Sequence, residues 1–157
     1  MLFGSASPED TEDLGEFLGS VVKKGTVICL IGDLGVGKTE FTKGLAKGLE
    51  VSDYVTSPTF IIVNEYEGRL PLYHFDVYRI NNIDEMFEIG YEEYVYGDGV
   101  SVIEWADSIK EIIPDENITV TISKDMEMGV DYRNIKIEAK GEKYDDILRE
   151  MIEKCEF

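Results

Sequence analysis

Three observations predict an α/β fold with a central parallel sheet, flanking antiparallel strands and helices on both faces. Residues 26–31 (TVICLI) form an apolar, β-branched run of the kind buried on both faces of a sheet. The next residues, Gly32-Asp33-Leu34-Gly35-Val36-Gly37-Lys38-Thr39, fit the pattern G-x-x-x-x-G-K-[ST]. Residues 40–49 then place Phe41, Leu45 and Leu49 four apart, on one helical face. Strand, glycine-rich loop and helix in this order make a P-loop unit, the heart of a phosphate-binding α/β domain.

The residue types in the loop dictate its chemistry. Glycines let the backbone pass close to a polyphosphate and turn its N–H groups inward. The following helix aims its positive N-terminal end at the same anion. Lys38 is placed to reach the β- and γ-phosphates, and the Thr39 hydroxyl to ligate Mg²⁺. Asp33, Leu34, Gly35, Val36, Gly37, Lys38, Thr39 and Glu40 are therefore the candidate binding residues for a nucleoside triphosphate with magnesium.

Before this unit, Ser7-Pro8-Glu9-Asp10 marks a helix start. Ser7 is the N-cap, Pro8 takes the first helical position and acids fill the first turn. Leu14, Phe17, Leu18, Val21 and Val22 make the apolar stripe, and Lys23, Lys24 and Gly25 read as a cationic last turn and a stop. After the P-loop helix, Pro58 pushes Ser57 into an extended conformation. Residues 60–66 and 70–76 read as strands of a hairpin around a turn at 67–69. Residues 82–88 and 91–96 read as short helices separated by Gly90. Residues 100–104 form a buried-type strand ending on an acid, and 105–113 read as helix until Pro114. Strands at 118–122 and 134–139, a turn at 126–131 and an amphipathic helix from 144 to 151 or slightly beyond complete the pattern. Strand–helix units mixed with hairpins put parallel strands at the centre and antiparallel ones at the edges. The ligand belongs at the carboxyl ends of the parallel strands.

Composition narrows the class. At 157 residues and 43% hydrophobic, residues 1–157 are expected to form one domain around one core. No segment is long and apolar enough to span a membrane, and the N-terminus lacks the basic and apolar runs of a signal peptide, so the expected compartment is cytoplasmic. Cys29, in a buried strand, and Cys155, near the end of the sequence, make neither a disulfide framework nor a metal site. A net charge of −18 disfavours direct nucleic-acid binding, because phosphate contacts dominate that affinity. A nucleic-acid substrate would be held by a more basic partner, and an acidic surface could steer the chain to it. Such an association is expected to weaken as salt rises.

Magnesium calls for hard oxygen ligands, usually one or two carboxylates plus phosphates and water. Two acids close predicted buried strands: Asp76 after Leu72-Tyr73-His74-Phe75, and Glu104 after Val100-Ser101-Val102-Ile103. Spacing alone does not rank them as metal ligand or as the group that orients the attacking water. His74, the single histidine, reads first as a hydrogen-bonding structural residue and second as a catalyst. Thr59, in a Pro-anchored loop before a strand, has the setting of a switch threonine that senses the γ-phosphate. Trp105 reads as a core anchor or a partner contact.

These segments occur together with Ser57-Pro58-Thr59-Phe60, Tyr73-His74-Phe75-Asp76-Val77-Tyr78-Arg79, Glu88-Ile89-Gly90-Tyr91 and Val102-Ile103-Glu104-Trp105. From about residue 14 to about residue 137 the chain resembles the TsaE (YjeE) family, small bacterial ATPases of tRNA threonylcarbamoyladenosine biosynthesis. The P-loop alone is generic; S-P-T-F, H-F-D-x-Y-R and I-E-W in this order are specific together. The resemblance implies ATP and Mg²⁺ as cofactors and a P-loop ATPase, slow alone and dependent on a partner. It implies the TsaB–TsaD pair as that partner, with TsaD transferring the threonylcarbamoyl group to an adenosine next to the anticodon, and contact with tRNA only through the pair. It implies that Thr39, Asp76 and Glu104 serve magnesium, with Lys38, Asp76 and Glu104 as the catalytic set. It makes Ser57 and Thr59 part of a switch-like loop, and Thr11 and Arg133 the matches for residues that hold base and ribose.

Three other readings compete. A GTPase would carry a guanine-reading N-K-x-D segment, and Ser123-Lys124-Asp125 does not match it. A small-molecule kinase would clamp its second substrate with several arginines, and Arg69, Arg79, Arg133 and Arg149 are all there are. A nucleotide-sensing module without turnover shares the whole P-loop pattern.

Overall fold

The computed structural model describes residues 1–58 and 62–154, and in it seven strands form one mixed sheet. In chain order the strands are β1 (Leu2–Ser5), β2 (Val27–Ile31), β3 (Val63–Tyr66), β4 (Leu72–Asp76), β5 (Val100–Glu104), β6 (Asn117–Lys124) and β7 (Arg133–Lys140). Across the sheet they run β1-β7-β6-β2-β5-β4-β3. β2, the strand that leads into the P-loop, lies parallel to β5 on one side and to β6 on the other, and β4 extends the parallel set beyond β5. The edges are antiparallel: β3 on β4, β7 on β6 and β1 on β7. All five residues of β5 are buried, as its continuous apolar run requires.

Helices cover both faces. On one lie α1 (Pro8–Val21), α2 (Lys38–Gly48) and α5 (Asp145–Lys154), packed over Ile28, Leu30, Leu72, Val102 and Val120. On the other, α3 (Asp84–Glu88), α4 (Tyr91–Val95) and a 3₁₀ segment (Ala106–Ile112) enclose Val27, Cys29, Phe75 and Ile103. The strict alternation of β2 between the two cores is the period-two geometry of a strand.

α1 and α2 approach unusually closely because glycines face each other. A Cβ at Gly15 would collide with the Phe41 carbonyl, at Gly19 with that of Leu45, and at Gly44 with that of Glu12. The Ser7 hydroxyl caps α1 by accepting from Asp10 N–H at 3.2 Å, with Pro8 in its first turn. This fixes the start of α1, and with it Thr11, beside the loop that opens α2.

Several sequence expectations change in detail. α1 ends at Val21, and Lys23 and Lys24 lie past it, where Lys23 C=O accepts from Thr26 in a turn. The segment after Glu104 is 3₁₀ rather than α-helical and is broken at Ile109 (φ −126°, ψ 29°). β1 was not expected; it is a four-residue edge strand with two buried residues, Phe3 and Ser5, too short for a periodic signal. The expected strand over 60–66 forms from Val63 onward and pairs with β4 as a hairpin; residues 59–61, and Thr59 with them, lie outside the described residues. No helix among the described residues is long and apolar enough to cross a membrane.

Candidate nucleotide site

The loop between β2 and α2 owes its shape to backbone conformations that side chains resist. Gly35 and Gly37 have φ of 75° and 120°. A Cβ on Gly32 would sit 2.7 Å from Ile122 C=O and from Val36 Cγ1. From Gly37 the helix starts at once, with Phe41 N–H donating to Gly37 C=O at 3.1 Å. The N–H groups of the first helical turn, free of intrahelical partners, are thereby presented at the sheet's carboxyl end.

Lys38 is buried and turned onto its own loop. Its Nζ donates to Gly32 C=O and, at 3.3 Å, to Asp33 C=O, and lies 3.8 Å from the centroid of the Trp105 ring. Burial pulls the Lys38 ammonium below its usual range, while Glu104 and Asp76, followed by Asp33 and Asp107, pull it back up.

The two acids meet by register. Asp76 closes β4 and Glu104 closes β5, and the two are direct partners across that parallel pair. Both sit on the face covered by α1 and α2, because they lie four and two residues after Leu72 and Val102 of that core, on the same side of their strands. Asp76 Oδ1 accepts from Tyr78 N–H at 3.0 Å. Burial raises the Asp76 carboxyl above its usual range; the Tyr78 N–H opposes this, Glu104 adds to it, and His74 and Lys38 oppose it. The Glu104 side chain is only 4% exposed, and its Oε2 lies 3.1 Å from Nε2 of His74, which is fully buried. Trp105 takes the left-handed conformation (φ 61°) directly after Glu104, anchored by Trp105 N–H to Leu30 C=O at 3.3 Å. Its ring packs on Tyr78 with centroids 4.7 Å apart. Thr39 Oγ1 lies 3.5 Å from Ser57 Oγ, which brings the loop at 57 against the P-loop.

Two clefts flank this centre. One, of about 190 Å³, is lined by Thr11, Gly35, Val36, Gly37, Glu40 and Arg133, among others. It brings together the two residues that the family resemblance offers for base and ribose, with the loop between them. Arg133 Nε donates to Val36 C=O at 2.8 Å, and Thr11 Oγ1 pairs with Ser5 Oγ at 2.8 Å. The other, of about 620 Å³, is bordered by Leu34, Ser57, Asp76, Tyr78, Arg79 and Trp105. Asp131, on the first cleft, was missed because it stands in a turn with no periodicity. Arg79 and Tyr78, on the second, belong to the H-F-D-x-Y-R segment, and that was the available signal.

Among the described residues no three His, Cys, Asp or Glu side chains form a metal cage of their own. The donor set that is present, a threonine hydroxyl and two carboxylates beside a phosphate-binding loop, suits a hard cation whose remaining ligands are phosphates and water.

Residues 5–135 match the family described as "Threonylcarbamoyl adenosine biosynthesis protein TsaE". The chain belongs to the TsaE family. It is 43% identical over 148 residues to the TsaE of Bacillus subtilis, covering 94% of this chain and 90% of that protein. It is 44% identical over 118 residues to that of Treponema pallidum, covering 75% and 87%. The crystal structure of Bacillus subtilis YdiB superposes with a TM-score of 0.79 at 38% identity, over 98% of this chain and 94% of that one. The α/β fold is thus shared with that protein.

Proposed function

We propose that this chain is a Mg²⁺-dependent ATPase that serves threonylcarbamoylation of the adenosine next to the tRNA anticodon, acting on a TsaB–TsaD pair. The observation that carries the ATPase reading is the meeting of Asp76 and Glu104 across the ends of β4 and β5, beside Lys38 at the start of α2. The tRNA pathway and the partner rest on family membership. The acidic surface, −18 overall, suits contact with tRNA through that partner alone.

In this reading the N–H groups of 33–39 hold the phosphates, and Thr11 and Arg133 border the nucleoside. Thr39, Asp76 and Glu104 hold Mg²⁺, which when bound supplies positive charge against the phosphate oxygens. Lys38 exchanges its bonds to Gly32 and Asp33 for bonds to phosphate, at little cost in charge stabilisation, because Glu104 and Asp76 remain beside it. Glu104 has the carboxylate that can accept a proton-side hydrogen bond from water at the γ-phosphate. Ser57, which lies against Thr39, belongs to the switch-like segment, in which the resemblance also places Thr59.

A second reading, a nucleotide sensor without turnover, draws on the engagement of Lys38 by loop carbonyls and by Trp105, which satisfies its ammonium within the protein. Titration calorimetry with ATP, together with a phosphate-release assay, separates the two. Lys38→Ala weakens ATP binding and abolishes hydrolysis. Glu104→Ala lowers hydrolysis about 100-fold or more while ATP affinity changes much less. Equal losses in affinity and turnover for Glu104→Ala would show that this acid only holds the bound ground state, and ATP binding without any hydrolysis would establish the sensor.

A further inference from the structure

His74 is spent entirely on one neighbour. Its ring is fully buried on β4, between Leu72 and Asp76 on the same face. Nε2 faces Glu104 Oε2 at 3.1 Å, and Nδ1 has no hydrogen-bond partner. A buried polar ring atom left unpaired costs stability, so a side chain chosen for packing alone would be apolar here. Against a carboxylate, which only accepts, Nε2 is the donor. Among the described residues this ring is the hydrogen-bond partner of the Glu104 carboxylate. A glutamate has three side-chain torsions and holds no orientation by itself, whereas a histidine has two, and burial locks them. Register completes the arrangement. His74 stands opposite Val102, two residues before Asp76 and Glu104, so the strand pairing that aligns the two acids also aligns the ring.

We propose that His74 is a positioning residue: its Nε2–H fixes Glu104 through Oε2 and leaves the other carboxylate oxygen for the cation and water of the ATP site. The inference rests on the ATPase reading, and its test separates the two. In steady-state hydrolysis, His74→Leu lowers kcat on the order of ten- to a hundredfold, as loss of a partner that orients a metal ligand does. At saturating Mg²⁺, KM for ATP stays within about threefold, because the P-loop contacts are untouched. His74→Gln, whose amide nitrogen replaces Nε2, recovers most of kcat. In a Glu104→Gln background His74→Leu causes no further loss, since the two act as one unit.

A readout independent of turnover is the Mg²⁺ concentration needed for tight binding of a non-hydrolysable ATP analogue. His74→Leu raises it, His74→Gln restores it, and binding of the analogue without Mg²⁺ is unchanged. If the wild-type protein hydrolyses no ATP, the ATPase reading fails, and the analogue titration still decides the role of His74. Losses that multiply in the double variant, or a Gln variant as impaired as the Leu variant, overturn the proposal. Should Leu disturb folding, seen as a lost cooperative thermal transition, His74→Gln carries the test. It must stay within about threefold of wild type, and a loss above tenfold contradicts the inference.

Discussion

Lys38 lives under opposed forces. Burial disfavours its charge, and two carboxylates, two carbonyls and an indole face compensate. The pattern G-x-x-x-x-G-K-[ST] marks Lys38 and Thr39 without any structure, because the chemistry of a triphosphate leaves little choice of residue. The lysine–tryptophan contact was not legible, since it depends on Trp105 taking a positive φ and on β5 standing beside β2. Cys29 illustrates the opposite case, a reactive residue type with no chemistry to perform. Burial pushes its thiol up to about 12, against a weaker lowering by Lys140. The group is therefore a neutral thiol at neutral pH in the folded protein. It ionises at ordinary pH only on unfolding, so it takes stability away as pH rises from the usual thiol range towards 12. Iodoacetamide at pH 8 is expected to leave Cys29 unlabelled in the native protein and to label it in denaturant, as read by peptide mass mapping. Rapid native labelling at Cys29 would contradict its inertness.

At the scale of elements, the pairing of α1 with α2 sets how Thr11 meets the P-loop. Apolar stripes in both segments announced the helices, and Ser7-Pro8 announced where α1 begins. The closeness of their approach was hidden. A glycine inside a helical pattern looks like a weakness until the opposing backbone is seen. Gly44→Ala would gain up to ~1 kcal/mol of helix propensity. The new methyl would also meet the Glu12 carbonyl, and such overpacking costs about 1–3 kcal/mol. The expected net result is a lower urea midpoint with an unchanged slope. A raised midpoint would mean that the two helices can part freely. β1, and the 3₁₀ rather than α form of the helical segment after Glu104, were illegible for a related reason. Both are short, and tertiary contacts (β7 for the first, the core around Ile109 for the second) define them more than local pattern does.

For the whole molecule, topology does the assembling. Asp76 and Glu104 are 28 positions apart in sequence, yet adjacent parallel strands bring them level at the same end of the sheet as the P-loop. Sequence reading could name both acids from the runs that precede them, spacing did not rank them, and the family resemblance implied both; what it could not show is that strand register sets them side by side. The two clefts on either side of the P-loop then divide the surroundings into a part beside Thr11 and Arg133 and a part beside Asp76 and Trp105. On the proposed function, a strongly acidic protein needs local positive charge to take a triphosphate, and the loop amides, Lys38 and the N-terminus of α2 are the groups that would supply it. The most direct measurement is phosphate release from Mg²⁺–ATP by the purified protein, alone and with its cognate TsaB–TsaD pair, beside Lys38→Ala. Hydrolysis that the pair stimulates and the variant lacks is the predicted result. Hydrolysis that persists in Lys38→Ala, or none in any mixture despite ATP binding, would contradict the account.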